Sequence, residues 1–479
     1  MATITHSQAF RFRRIINWFS IGLAYAFLYM GRYNLTVAKN ALGDLMSKTD
    51  FGDIFGVGAV VYGLAFIVNG PLTDRYGGRR MMLIATFGAA AANILMGVSL
   101  WGISTQGWEM PIRSAFMFLY AINMYFQSFG ALSIVTVKAP WFHVTERGTF
   151  STIFGLMISL GIYFAFDWGY AVVAATRAEL GDGLSWFSTF VMTVFGTGGK
   201  GVDENWWIFY IPSIFLMVLW GAMLAVLRNT PAEAGYQDFD TGEESVTRSG
   251  ERVRTIEVFR RLLTHPVLMV VMGIEFCSGV MRNGVMHWYP IFAKETGFSD
   301  TFFVTKNWGL MLLIAGIAGG VMTGWMSDRF FNSRRAPMSA VSYALMILAA
   351  LWMTRSLDAD LWHMGIMVLI VSAAVIGVHG IMSGTATMDF GGSKNTGTAT
   401  GIVDGVVYMG TAFQSFVIGR ITPTGEAAKD SSAWIQWPIF LVPLAALGFL
   451  LALRIWNARP KEKAPITRIE ASEPVRVGS

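Results

Sequence analysis

The sequence predicts an all-α membrane protein of twelve transmembrane helices in two pseudo-symmetric six-helix halves. Three observations point there: a scarcity of charge, apolar runs that number six and six around a polar centre, and one loop motif that occurs twice. Of 479 residues, 54% are apolar and 14% charged, whereas a soluble domain carries about 25% charge. Mean hydropathy is +0.49. A soluble enzyme, a disordered scaffold and a coiled coil are excluded. Each membrane span needs ~20 residues, so twelve leave ample chain for loops and tails.

The spans follow in order. Arg11, Arg13 and Arg14 precede apolar residues from Ile15. The run is too long for a signal peptide and no small-residue cleavage site closes it, so it reads as a retained first helix. Further runs lie near 54–73, 81–101, 112–137, 149–174 and 206–227, then, after a polar stretch at 229–264, near 266–292, 303–326, 337–354, 362–386, 396–419 and 433–456. They bound an N-terminal half (1–228), a cytoplasmic linker (229–265), a C-terminal half (266–456) and a cytoplasmic tail (457–479).

Charge orients the bundle. With the N-terminus inside, about 24 of the 36 Lys and Arg fall on the inner side, about 10 on the outer side and two within helices. That bias places both termini in the cytoplasm and accounts for the net charge of +5 without nucleic acid. In the linker, Gln237 to Glu251 is polar, whereas Ile256, Phe259, Leu262 and Leu263 share one face of a short surface helix over Arg254 to His265. The outer loop at 176–204 carries Trp186-Phe187 and Phe190-Val191-Met192, and part of it is expected at the interface. A single cysteine, Cys277, excludes an internal disulfide and packs in an apolar run. There is no CxxC, no HExxH and no phosphate-binding GxxxxGK[ST] after a strand, so no metal, cofactor or ATP site is expected.

The halves repeat. Gly70-Pro71-Leu72-Thr73-Asp74-Arg75 with Arg79-Arg80 follows the second run, and Gly324-Trp325-Met326-Ser327-Asp328-Arg329 with Arg334-Arg335 follows the eighth. Both read G-x-x-x-D-R ahead of an Arg pair. The glycine permits close helix contact, and the aspartate can accept from backbone N–H groups or from an arginine across the loop. Asp74, Arg75, Arg79, Asp328 and Arg329 therefore read as a conformational latch on the inner side.

Two arginines fall inside helices at nearly equivalent places of the repeat, Arg32 and Arg282. Arg32 lies ~27 Å along the helix from Arg14, and Arg282 lies ~24 Å beyond Pro266. Each costs at least ~3 kcal/mol to insert, and a symmetric pair suggests an anionic ligand shared between the halves. The bland alternative is a pair of internal salt bridges to Glu275, Asp167 or Asp404. Tyr25, Tyr29 and Arg32 share a helix face, and phenols beside a guanidinium fork suit a phosphate. The same three carboxylates, buried in helices, are alternatively proton-coupling sites.

The duplicated motif and twelve spans resemble the major facilitator superfamily, which implies a cavity between the halves and alternating access. Finer features are similar to the organophosphate:phosphate antiporter family. These are Tyr25-x3-Tyr29-x2-Arg32, Tyr62 ahead of the first loop motif, Phe126-Gln127, Trp141-Phe142 and Glu146-Arg147-Gly148. Arg282 with Trp288 and Pro290, Gly397-Thr398-Ala399-Thr400-Gly401 leading to Tyr408, and Asn229-Thr230-Pro231-Ala232-Glu233-Ala234-Gly235 extend the likeness. The resemblance implies that Arg32 and Arg282 clamp a phosphate while Tyr25, Tyr29, Tyr62 and Tyr408 shape the cavity. Gln127, His379 and His287 then face the organic part. The implied partners are a small anionic substrate, inorganic phosphate and lipid, with no nucleic acid, no cofactor and a monomer in the bacterial inner membrane.

Departures from the glycerol-3-phosphate carriers are specific. Phe66 stands in place of a Lys, Ile158 of a His, Gly155 of an Asn, Gly377 of a Tyr and His287 of an Asp. The anchors match while the surrounding shell differs, which implies the substrate class and leaves the substrate open. The reading is a secondary transporter of glycerol phosphate or a sugar phosphate by exchange for phosphate. Its rivals are a proton-coupled carboxylate or sugar-acid symporter and a transporter-like sugar-phosphate sensor.

The latch can be tested directly. Asp74→Asn and Asp328→Asn should leave ligand affinity nearly intact and slow uptake into vesicles, because the motif biases conformations rather than touching the ligand. A large affinity loss with normal turnover at saturation contradicts the assignment.

Overall fold

A computed structural model describes residues 6–143, 147–177, 184–239, 241, 260, 263–332, 334–386 and 396–458, without the side chains of 147–154, 384–386 and 396–400. Glu146, most of the linker including the surface helix expected over Arg254 to His265, the centre of the 176–204 loop and nearly all of the tail lie outside the described residues.

Eleven described helices are long and apolar enough to cross a membrane. The first half contains α1 (Gln8–Leu42), α2 (Lys48–Tyr76), α3 (Gly78–Thr105), α4 (Ile112–Trp141), α5 (Arg147–Tyr163), a short α6 (Trp186–Phe195) and α7 (Trp207–Val226). The second contains α8 (Pro266–Met286) with its continuation α9 (Trp288–Glu295), α10 (Trp308–Phe331), α11 (Arg335–Arg355), α12 (Leu361–His379), α13 (Thr396–Ile421) and α14 (Gln436–Arg454). With α1 as the twelfth span, α1 to α5 and α7 face α8/α9 to α14. The start of α1 and the end of α14 then lie on one side, here called the termini face; the opposite side is the distal face.

The twelfth span, α1, fails a hydropathy criterion for a physical reason. Every residue from Ala24 to Asn40 is buried. The helix is enclosed by protein rather than lipid, so its solvent is other side chains. Tyr, Asn and Arg are affordable there if each polar group finds a partner. Serines start three of the helices: Ser7 accepts from the Phe10 amide, Ser47 forms a reciprocal capping box with Asp50, and Ser185 accepts from the Ser188 amide.

The halves meet mainly where α2 packs along α13 and α5 along α10. Within the second half, α8 and α13 approach backbone to backbone: a Cβ on Gly279 would collide with the Val407 carbonyl, and one on Gly410 with the Phe276 carbonyl. This closeness is what puts Glu275, Arg282, Asp404 and Tyr408 in one neighbourhood. The loop segment α6 is anchored rather than loose. Phe187 is buried, stacks on Trp168 with centroids 4.2 Å apart, and Ser188 donates to the Ala171 carbonyl.

Overpacking at the α8–α13 contact should therefore be costly. Gly279→Leu should lower thermal stability in detergent by about 1–3 kcal/mol, measured by fluorescence melting. Gly221→Ala on α7, where nothing lies within 4 Å of an added Cβ, should be near neutral.

Candidate functional site

At mid-depth α1 presents Arg32, fully buried. Its Nε donates to Gln127 Oε1 (2.9 Å), Nη1 to Tyr408 Oη (2.6 Å) and Nη2 to Tyr62 Oη (3.2 Å). The Tyr29 and Tyr62 rings lie against its guanidinium carbon, at 4.6 and 4.4 Å from their centroids. Tyr62 and Tyr408 are themselves 4.1 Å apart, and Tyr25 sits edge-on to Tyr29 at 5.3 Å. Tyr408 comes from the opposite half, so this cluster spans the interface.

Arg282 reaches the same cluster from the other side. It is half-buried, and the groups it interacts with are the phenols of Tyr33, Tyr29 and Tyr408. Tyr29 and Tyr408 thus serve both arginines. Among the described residues neither guanidinium lies within 4 Å of a carboxylate, and the ion pairs that are seen lie elsewhere.

The three candidate salt-bridge partners are engaged otherwise. Glu275 Oε2 bonds His379 Nδ1 at 2.9 Å; it is two helical turns, ~10 Å, from Arg282, and α12 is nearer. Asp404 accepts from Ser383. Asp167 lies on a π-helical turn of α5 (Phe164–Trp168) and accepts from the Gly309 and Leu310 amides at 2.7 and 3.1 Å. It satisfies the first amides of α10 from the opposite half, as an N-cap would. The alternative of internal salt bridges to Arg32 and Arg282 is therefore not what the described residues show.

A scaffold that sequence reasoning missed holds Arg32 in place. Asn34 donates to Asn93 (2.8 Å), Asn93 to Asn123 (3.2 Å) and Gln127 to Asn123 (2.9 Å). Asn93 and Asn123 both donate to the Gly31 carbonyl, and Tyr120 Oη donates to the Arg32 carbonyl at 2.9 Å. Asparagines inside otherwise apolar spans were the available signal, since a buried amide needs partners.

The distal face is closed. His287, fully buried, bonds Thr36 at 2.7 Å and Asn283 at 3.2 Å, among the rings of Phe55 and Tyr33. Beyond it Asn40 donates to the Pro290 carbonyl (3.0 Å), and Glu295 lies 3.6 Å from both Lys39 and Lys48. Asp53 pairs with Arg113 and, at 2.8 Å, with Arg420. His287 is thus placed in the distal seal, toward that face from Arg282. His379 sits with Glu275 at the end of α12, 28% exposed.

The duplicated motif lies at the termini face, away from the arginines. Arg335 donates to Asp328 at 2.9 Å and to Ser327 at 3.2 Å. Asp74 is also engaged. Arg79 donates to the Leu224 carbonyl, while its backbone amide donates to Asn229. Arg75 and Arg329 are exposed.

The family profile described as the Major Facilitator Superfamily matches residues 21–415. The chain belongs to that superfamily. Among its relatives, a "Probable hexose phosphate transport protein" of Chlamydia trachomatis is 26% identical, aligned over 94% of this chain and 92% of its own. A "Glycerol-3-phosphate transporter" of Bacillus subtilis is 25% identical over 94% of each. A crystal structure of a bacterial homologue of the human lysosomal transporter Spinster superposes with a TM-score of 0.71 at 15% identity, covering 96% of this chain and all of that one. As a major facilitator, the protein is an integral membrane transporter and not an enzyme.

The arginine pair carries a clear expectation. Arg32→Lys and Arg282→Lys keep the charge and lose the planar fork. Each should weaken binding of inorganic phosphate at least about tenfold by calorimetry; unchanged affinity in either contradicts a forked contact.

Proposed function

We propose that this major facilitator carries a phosphorylated small metabolite, a glycerol phosphate or sugar phosphate, in exchange for inorganic phosphate by alternating access. The observation that supports it most is the placement of Arg32 and Arg282. They are two guanidiniums from opposite halves, sharing Tyr29 and Tyr408, with no carboxylate within salt-bridge distance among the described residues. A tetrahedral dianion supplies the missing countercharge to both. The phenols add to this: Tyr62 and Tyr408 accept from Arg32 and keep their own hydrogens to donate to a phosphate oxygen. The named relatives, carriers of hexose phosphate and glycerol-3-phosphate, support the same class.

The energetics favour exchange. At an effective permittivity of ~20, one unit-charge pair at 4 Å is worth roughly 4 kcal/mol. A phosphate bridging the two arginines therefore draws the halves together at mid-depth. An empty cavity that closed on the termini side would trap two arginines in a low-dielectric site without an anion, which is costly. The carrier thus crosses readily only when loaded. The Lys and Arg bias puts the termini face in the cytoplasm, of a bacterial inner membrane. The distal contacts of Asp167, Glu295 and Asp53 are then the outer seal that must release for the other orientation. A monomer suffices, since both arginines come from one chain.

Reconstituted vesicles test the coupling. Vesicles loaded with phosphate should take up labelled glycerol phosphate or hexose phosphate rapidly, and phosphate-free vesicles should not. Accumulation in phosphate-free vesicles under an inward proton gradient, abolished by Glu275→Gln or Asp404→Asn, establishes proton symport instead. Binding without counterflow under either condition establishes a sensor.

A further inference from the structure

The two helices that carry the second half's share of the site are polar in the same sense. On α8, Glu275 precedes Arg282 by seven residues; on α13, Asp404 precedes Tyr408 by four. Both helices run from the termini face toward the distal face and pack tightly through Gly279 and Gly410. Both carboxylates are thus displaced toward the termini face from the guanidinium and phenol layer. The offset is ~6 Å along α13 and ~10 Å along α8. His379 joins Glu275 and Asp404 in this second layer, and Arg282 lies within electrostatic reach of Asp404 and His379.

The carboxylate layer is incompletely satisfied. Glu275 is fully buried; its Oε1 makes no well-formed hydrogen bond, and the Ser278 hydroxyl one turn further along, which interacts with this carboxylate, makes none either. Asp404, half-buried, accepts from Ser383 at Oδ1. A buried carboxylate oxygen without a donor is expensive. Glu275 Oε1 is such an oxygen, and with the charge of Asp404 beside it this layer calls for a donor that arrives with the ligand. A ligand that was only a dianion would set its charge against these carboxylates. An ammonium group removes that conflict and supplies up to three donors.

We infer that the preferred substrate is zwitterionic, an aminoalkyl phosphate, its phosphate at Arg32 and Arg282 and its ammonium held by Asp404 and Glu275. The inference rests on the phosphate site proposed above. One helical turn, ~6 Å, is the reach of a two- or three-carbon spacer between phosphate and ammonium. Asp404, on the helix of Tyr408, is the nearer carboxylate, and Glu275, buffered by His379, the deeper one.

The test compares near-isosteres on the purified full-length protein by calorimetry: 2-aminoethyl phosphate, 2-hydroxyethyl phosphate and inorganic phosphate. The aminoethyl compound should bind at least about tenfold more tightly than the hydroxyethyl one, the gain of one hydrogen-bonded charge pair. Asp404→Asn should bring that ratio close to one, with opposite signs for the two ligand classes: weaker for the amine, stronger for inorganic phosphate, since a nearby negative charge is removed. Glu275→Gln should act in the same sense and serves if the first variant does not fold. A ratio near one in the unsubstituted protein, with phosphate binding intact, overturns the inference and leaves the phosphate site standing. Tighter binding of the hydroxyethyl compound overturns it too and assigns the carboxylates to hydroxyl groups. Failure to bind inorganic phosphate at all removes the phosphate site, and the inference with it.

Discussion

Holding a charged guanidinium at the middle of a membrane protein is the constraint around which this molecule is arranged. Arg32 costs several kcal/mol to insert, and the fold meets that cost locally. Gln127, Tyr62 and Tyr408 receive its N–H groups, two aromatic faces cover its plane, and an amide ladder from Asn34 through Asn93 and Asn123 to Gln127 fixes the acceptors. The ladder also binds the Gly31 carbonyl, so backbone and side chain of α1 are held together. None of these partners is ionised. Each guanidinium nitrogen has a neutral partner, two of its five N–H donors are left over and the charge is unpaired, which on the proposed function leaves Arg32 ready for an anion.

The same principle separates the two ends of the bundle. On the distal face the charges at the seam between the halves are matched within the protein: Glu295 sits between Lys39 and Lys48, Asp53 between Arg113 and Arg420, and Asp167 on two amides of α10. These contacts join the halves, and each is individually modest and partly offset by desolvation. A seal made of several such pairs closes firmly and can still be opened by a ligand whose own charge interactions compete. At mid-depth, by contrast, charges of one sign are gathered and left unmatched. On the proposed function, that contrast between a paired gate and an unpaired centre is the physical basis for coupling binding to movement.

Helix packing decides how the second half contributes. Because α8 and α13 touch backbone to backbone at Gly279 and Gly410, residues two turns apart on one helix meet residues one turn apart on the other. Arg282 and Tyr408 form one layer, Glu275 and Asp404 the next. His379 enters from the end of α12 and takes one oxygen of Glu275, not both. The centre of the bundle therefore carries both signs of charge along its depth rather than basic groups alone, a property of the interface and of no single helix.

Hydropathy and charge bias alone determined the membrane class, the six-and-six arrangement and the two arginines at equivalent depth, because lipid imposes a length and a polarity that any sequence must obey. The likeness of α1, with Tyr25, Tyr29 and Arg32 on one face, was also legible, since helical periodicity decides which side chains share a side. The partners were not. Glu275 and Arg282 share a helix face yet do not meet, because seven residues along a helix exceed the reach of a salt bridge, whereas His379, over a hundred residues away, is in contact. Asp167 reads as an isolated buried acid until α10 is seen to begin against it. Asn34, Asn93 and Asn123 lie on three different helices, and only packing reveals that they form a single chain of amides. Periodicity is a property of one helix; the identity of a buried polar group's partner depends on which helices are neighbours and at what register, and that is set by the tertiary structure.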